Sequence, residues 1–312
     1  MNETTTRDAL SADAITLARL LTDAYLGQWT YTPEHVSRRL ETAVPGRFTL
    51  SACSGQEVKA GLDADPFSTV TGGLRVQLYG DPAAFTPLYL EALTRASALG
   101  YRQLLSVVRQ DHRPQVEFLG AAGFRNAYQS WGAHLELSSF DFAPYRALEQ
   151  KHYLDGTEVH SFAPENTDAP WDALHLLYAE GLQSTPKNPT TTHDGDSPGY
   201  FRSEVASGQV FAAVRRGEVL SYTALGLNKT GVDSEHTATR AASRGQGLAT
   251  LVKATALTWA RDQGYATAST GGNVANLPML RVNTRLGYRP EPMWLTWVRD
   301  IPTLMSAATS PA

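Results

Sequence analysis

Leu248, Leu251, Val252, Thr255 and Trp259 recur at the 3.6-residue period and predict a helix that ends before Tyr265. Residues 235–240, just upstream, alternate with the two-residue period of a strand. Arg244, Gly245, Gln246 and Gly247 stand between them, so the order reads strand, glycine turn, helix. Similar signals appear twice along the chain. In the first half they predict a helix over 88–99, a strand over 104–109 and a helix over 114–122, then Gly123, Phe124 and a strand over 129–137. In the second half the matching segments are a helix over 248–263, a strand over 266–270 and a helix over 276–286, then Gly287, Tyr288 and a strand over 293–298. The matched spacing predicts a duplicated unit with a joint near 141–157, giving domains at 1–145 and 155–300 and a flexible tail over 301–312. Helix and strand alternate in every α/β protein, so the repeat rests on the spacing alone.

Composition fits this division. The 312 residues suffice for two domains of about 150 residues each. With 42% hydrophobic and 19% charged residues the chain reads as globular, neither disordered nor fibrous. A net charge of -4 offers no electrostatic argument for binding nucleic acid or an anionic membrane. Cys53 is the only cysteine, which excludes an intrachain disulfide and a Cys-x-x-Cys motif. The eight histidines show no metal-ligand spacing, so no metal is expected. The polar start MNETTTRDAL and the lack of any long apolar run predict a cytoplasmic protein, a monomer or homodimer.

A helix that starts directly after a glycine turn presents unpaired N–H groups at the positive end of its dipole, which favours a bound anion. Three phosphate chemistries compete for such a turn. A nucleotide P-loop requires Gly-x-x-x-x-Gly-Lys followed by Ser or Thr, and no such string occurs. A dinucleotide fingerprint requires a third glycine where Thr250 stands, and an acidic residue about 20 positions on, which is also missing. What remains is Arg-x-x-Gly-x-Ala, in which Gly247 lets the backbone approach a pyrophosphate and the small Ala249 avoids crowding it. That form suits coenzyme A.

The string RGQGLA at 244–249, with NLPMLRVNTRLGY at 276–288, resembles the core of the GNAT (general control non-repressed 5-related) acyl-CoA N-acyltransferases. The second string matches the Asn-x-x-Met-x-x-x-Asn-x-x-Leu-Gly-aromatic pattern of one branch of that family. The resemblance is clear over 157–300 and faint before it. It implies an α/β (α+β) protein of two tandem GNAT-like domains, each a mixed, mostly antiparallel sheet flanked by helices. It implies acetyl-CoA or another acyl-CoA as co-substrate. Thr237, Ala238 and Thr239 would pair with the pantetheine amides, and the amides of Arg244, Gly245, Gln246, Gly247, Leu248 and Ala249 would hold the pyrophosphate. Arg244 would add a charged contact, and Asn276 and Asn283 would lie on the coenzyme. A large side chain at Gly247 is expected to block the ligand without necessarily unfolding the domain.

Catalysis in this family is direct transfer from thioester to amine, with a tyrosine commonly protonating the leaving thiolate. Asn283 occupies that position here, and an amide is no proton donor. It would therefore bind the coenzyme, leaving solvent or a tyrosine such as Tyr222 as the acid. Gly271 and Gly272 stand where the branch usually shows Thr-x-Asn, with Asn273 nearby. Glu235 is the expected base. Adjacent residues of an extended strand face opposite sides, so Glu235 should share a face with Thr237 and Thr239, and His236 should point away. His193, Asp194 and Asp196 lie in a Pro-, Thr- and Gly-rich segment, 184–199, expected to cover a small-molecule amine acceptor.

The first half carries Gly80, Asp81, Pro82 and Ala83 where a coenzyme turn belongs. The aspartate repels a pyrophosphate and the proline lacks an N–H, so this copy is expected to have lost the coenzyme. Its string VEFLGAAGF at 116–124 still resembles the closing helix of a GNAT unit. Tandem units of this kind occur in mycothiol synthase-like enzymes, which makes a cysteinyl aminosugar the runner-up acceptor. Two other readings stay open: a non-catalytic acyl-CoA or drug-binding protein, and a transferase whose donor rides on an acyl carrier protein.

Overall fold

The computed structural model describes residues 4–25, 30–190, 195 and 197–302. The chain forms two compact units: the chain up to Gln129 together with the segment from Trp294 onward, and Ser130–Met293. No helix among the described residues is long and apolar enough to cross a membrane.

The first unit contains β1 (Thr4–Asp8), α1 (Ala14–Ala24), α2 (Pro33–Glu41), β2 (Phe48–Ser54), β3 (Glu57–Pro66), β4 (Gly73–Gly80), α3 (Phe85–Ala98), β5 (Gln103–Arg109) and α4 (Arg113–Ala121). Its strands follow the order β1-β2-β3-β4-β5, then Trp294–Asp300. All neighbours are antiparallel except β4 and β5, which run parallel. Phe85, Leu88, Tyr89, Ala92 and Ala96 form a buried helical stripe that packs α3 onto Leu50, Leu62, Leu74 and Val76 of the sheet.

The second unit contains β6 (Arg125–Glu136), of which residues 130–136 pair within it, α5 (Arg146–Leu154), β7 (Thr157–Phe162), α6 (Trp171–Ser184), α7 (Pro198–Glu204), β8 (Gly208–Arg215), β9 (Glu218–Leu227), β10 (Gly231–Thr239), α8 (Leu248–Asp262), β11 (Thr267–Asn273), α9 (Leu277–Arg285) and the short β12 (Arg289–Pro290). The remaining strand, Trp294–Asp300, is β13. The order here is β7-β8-β9-β10-β11-β6, antiparallel except for the parallel pair β10–β11. Both units therefore share one plan.

They differ from the expected boundaries in one respect that matters. The strand after α4 is β6, and its residues 130–136 pair with β11 of the second unit. The strand after α9 is β13, and it pairs with β5 of the first unit. Each unit thus takes its sixth strand from the other half of the sequence, and a cut at 145–155 describes neither. Alternation predicts a strand's two faces, and carries no information about which sheet it joins. Two smaller corrections follow. The joint at 141–157 contains the helix α5. Ile301, assigned to a flexible tail, is buried and donates its N–H to the Arg102 carbonyl at 2.8 Å.

Candidate active site

The parallel pairing of β10 and β11 is short. It runs from Gly231↔Thr267 to Ser234↔Thr270 and then stops. Beyond it β10 stays with β9 and β11 with β6, which opens a notch between 235–239 and 271–273. A register shift in β10 between Ser234 and His236 leaves Glu235 unpaired at the apex. On the other bank, a side chain at Gly272 would meet the Trp131 ring at 3.1 Å, and one at Gly271 the Trp131 carbonyl at the same distance. Glycine at both positions lets β11 pass the tryptophan.

Main-chain groups line the β10 bank. Arg240 donates to the Leu220 carbonyl at 2.8 Å, and side chains of β9 reach the carbonyls of Ala238 and His236 at 3.0 and 3.3 Å. Residues 236, 238 and 240 thus point their main-chain groups at β9, and Thr237 and Thr239 turn theirs to the notch. Of the three residues expected to meet the pantetheine, Ala238 is the exception.

The notch leads to the glycine turn. Gly245 and Gly247 both adopt left-handed backbone, with φ of 75° and 89°. Gly247 is the N-cap of α8 and no side chain caps that helix; its first main-chain bond is Leu251 N–H to Gly247 O, at 3.0 Å. The amides of Leu248, Ala249 and Thr250 precede that bond and lack intrahelical partners. α5 packs behind the turn. Leu148 lies 2.9 Å from where a Gly247 Cβ would sit, and buried His152 donates from Nε2 to the Gln246 carbonyl at 3.0 Å. A side chain at Gly247 would therefore strain the turn and push Leu148, a structural cost that pattern alone does not reveal. Arg244 is already engaged: it donates to the Thr239 carbonyl at 3.0 Å and the Ser184 hydroxyl at 2.9 Å, bracing α6 against β10.

On the α6–α7 side the register shift overturns the expected alternation. Thr237 and Thr239 bond the hydroxyls of Thr223 and Ser221 at 2.8 Å on the α8 face of the sheet. Glu235 lies over Gly226, its Oε1 2.8 Å from where a Cβ would be, and His236 packs against Gly181 of α6. Glu235 and His236 thus share one face, opposite Thr237 and Thr239, because the extra residue resets the alternation. Desolvation raises the Glu235 carboxyl above the usual range, helped by Asp233 and Glu204. Asp233 itself bonds Ser269 and accepts from Asn228 at 3.1 Å. Tyr222 is fully buried, its hydroxyl 2.6 Å from His236 Nδ1, and burial holds its proton tightly. It is a weak acid facing away from the notch's α8 side.

A buried polar cluster lies on that α8 side. Asn283 is 1% exposed, and neither its amide nitrogen nor its oxygen has a partner among the described residues. Tyr288 bonds Ser234 at 3.2 Å, with its phenol pushed up to about 12 mainly by burial. Lys253 of α8, also buried, places its Nζ 5.7 Å from the Tyr288 ring, and burial lowers its amine to about 7. The sequence signal for Lys253 is its place as the only charge in 248–260, one that the phosphate-turn pattern passes over. Asn276 accepts from Met279 N–H at 3.3 Å and so caps α9, a structural task beside the coenzyme contact expected of it. Asn273 bonds the Pro186 carbonyl and Ala275 N–H. His193, Asp194 and Asp196 lie outside the described residues. Among the described residues no group of three His, Cys, Asp or Glu side chains is placed to hold a metal.

An acyl-CoA arm fits this donor set: the main-chain groups of Thr237 turned to the notch on one bank, where the Thr239 carbonyl is already held by Arg244, an uncapped helix start at the end, and a buried amide without a partner among the described residues. No family model and no curated protein matches the chain. Solved structures do. A GCN5-related N-acetyltransferase from Sphaerobacter thermophilus aligns over 96% of both chains with a TM-score of 0.63 at 15% identity. A tandem GNAT protein from the clavulanic acid biosynthesis pathway aligns over 96% of this chain and 99% of its own, with a TM-score of 0.62 at 17% identity. A glucosamine N-acetyltransferase region of a fungal multi-domain β-N-acetylglucosaminidase gives 0.65 at 13% identity, over 96% of this chain and 38% of that one. The chain has the tandem GNAT fold.

Proposed function

We propose that the second unit is an acyl-CoA-dependent N-acyltransferase, with acetyl-CoA as donor and the primary amine of a small molecule as acceptor. One observation carries this reading: the notch beside Thr237 and Thr239 ends at an α8 start that no side chain closes. Main-chain N–H and C=O groups at a strand edge suit the amides of a pantetheine arm. The N–H groups of a helix start suit its pyrophosphate.

Each side chain then has a task. Glu235, raised by desolvation and without a hydrogen-bond partner among the described residues, takes the proton of the attacking amine as the N–C bond forms and the C–S bond breaks. Solvent returns a proton to the thiolate, since Tyr222 is tied to His236 and Asn283 carries no acidic proton. Asn283 gives its amide to the coenzyme. Glu235, Asp233 and Glu204 make the acceptor face acidic, which favours a cationic amine; His193, Asp194 and Asp196 remain acceptor-site candidates on the sequence alone, the two aspartates for their charge. A neighbour of this fold acts on glucosamine, and an amino sugar meets the same requirement.

Thiol release from acetyl-CoA, followed with a panel of diamines, amino sugars and amino acids, tests the reading. Amine-dependent release by at least one acceptor is the expected result. Tight coenzyme binding with no release across the panel would instead identify a binding protein, and faster turnover with an acyl carrier protein would reassign the donor.

A further inference from the structure

The first unit keeps the same strand separation. β4 and β5 pair from Gly73↔Gln103 to Arg75↔Leu105, after which β4 stays with β3 and β5 with β13. Beside it, a cavity of about 590 Å³ is lined by Tyr25, Tyr31, Glu34, His35, Arg38 and Arg75 among others. That is the size of a small-molecule site.

Its charges are unbalanced. Arg38 comes from α2 and Arg75 from β4, and neither has a hydrogen bond or ion pair among the described residues. The carboxylates within reach of α2 are spent elsewhere: Arg39 binds Asp63 at 3.1 Å and Asp65 at 2.9 Å, and Arg47 binds Asp65 at 2.8 Å. Glu34, in the first turn of α2, is held below the usual carboxylate range by its own backbone amide and then by the Thr32 hydroxyl, so it serves the helix start. The opposite wall is aromatic and fixed. Tyr25 is buried, accepts from Gln77 at its hydroxyl, and packs 5.6 Å from Tyr31 and 5.9 Å from His112, centroid to centroid.

Two guanidiniums from separate elements, neither in an ion pair among the described residues, suit a carboxylate or phosphate through their planar forks. A rigid tyrosine pair suits a flat apolar body. We propose that the first unit holds a second small-molecule site, in which Arg38 and Arg75 bind the anionic group of a small organic anion and Tyr25 and Tyr31 pack its flat body. Counting from the first parallel pair of each unit, Arg75 falls where the second unit has Asp233, so the two acceptor-side faces carry opposite charge.

Calorimetric titration of the full chain with benzoate, phenylacetate and phenyl phosphate tests this, with benzyl alcohol and inorganic phosphate as partial mimics. At least one aromatic anion should saturate a single site, with both partial mimics about tenfold weaker or more. The ranking of benzoate and phenyl phosphate separates a carboxylate ligand from a phosphate one. Arg38→Gln and Arg75→Gln should each weaken binding about tenfold, and the double variant should abolish it while circular dichroism stays unchanged. Should Arg75→Gln disturb folding, Arg38→Gln against Arg38→Lys, on the surface helix, gives the same reading. Absence of binding by all three aromatic anions at millimolar concentration overturns the proposal, as does wild-type affinity in a folded double variant.

Discussion

Two strand pairs in this chain separate in the same way, and the ends of their notches are treated in opposite fashion. After β4, Asp81 turns its own carboxylate onto the Ala83 N–H at 3.0 Å and Pro82 offers no donor at all. After β10, Gly245 and Gly247 hold the backbone in left-handed conformations and no side chain closes α8. The first unit has, in effect, supplied its own anion. Its strands still diverge, so the divergence belongs to the sheet and does not depend on the turn. The neighbouring faces also contrast, with two arginines that have no ion pair among the described residues in one unit and an acidic group around Glu235 in the other.

The largest test of this contrast is stoichiometry. Coenzyme A should bind once per chain, and Gly247→Val should weaken it at least about a hundredfold by calorimetry, because a β-branched residue resists φ of 89° and meets Leu148. Two equivalent sites in the wild type would erase the distinction between the turns. Next comes Glu235→Gln, expected to lower kcat about a hundredfold or more. A base must be ionised to work, so the wild-type rate should fall on the acid side, with its midpoint above an ordinary glutamate because the carboxyl is raised. An acid limb unchanged in the glutamine variant would assign the base elsewhere.

Lys253 gives a stability test confined to the second unit. Burial holds its amine at about 7, against about 10.4 in an unfolded chain. Between these values the unfolded chain binds the additional proton, so folding stability rises with pH from about 7 upward, by at most about 1.4 kcal/mol per pH unit. Lys253→Met should flatten that rise and stabilise the protein at pH 7, as measured by urea unfolding at pH 7 and 9. Identical slopes would show that the amine keeps its proton. The smallest effect is expected from Asn283→Leu: coenzyme binding about tenfold weaker, with the ligand-free protein about 1 kcal/mol more stable because an unsatisfied amide is removed. Loss of stability without loss of binding would make Asn283 a structural residue.

Features set by neighbours in sequence were legible from it. The RGQGLA turn, the helix behind it and the Asp81–Pro82 turn depend on local backbone chemistry, and the structure places all three where the pattern does. Glu235 was legible as a residue and not as a direction, because the register shift is fixed by pairing with β9, across the sheet. Asn276 carries the same letter whether or not it caps a helix, and the cap is visible only through the bond to Met279. Lys253, Arg38 and Arg75 acquire meaning through their surroundings: burial beside the Tyr288 ring for the lysine, and no ion pair among the described residues for the arginines. Such surroundings are a tertiary fact.

The exchanged sixth strands bear on how the protein is made. While a ribosome is still producing the second unit, β5 lacks the neighbour it will have on one side, since residues 294–300 are made only after that unit. An unpaired strand edge left waiting is open to wrong partners, including another copy still under synthesis. The nascent first unit must be tolerated incomplete for more than half of the chain's length. Stopping translation before Trp294 would therefore damage the unit whose synthesis began earlier.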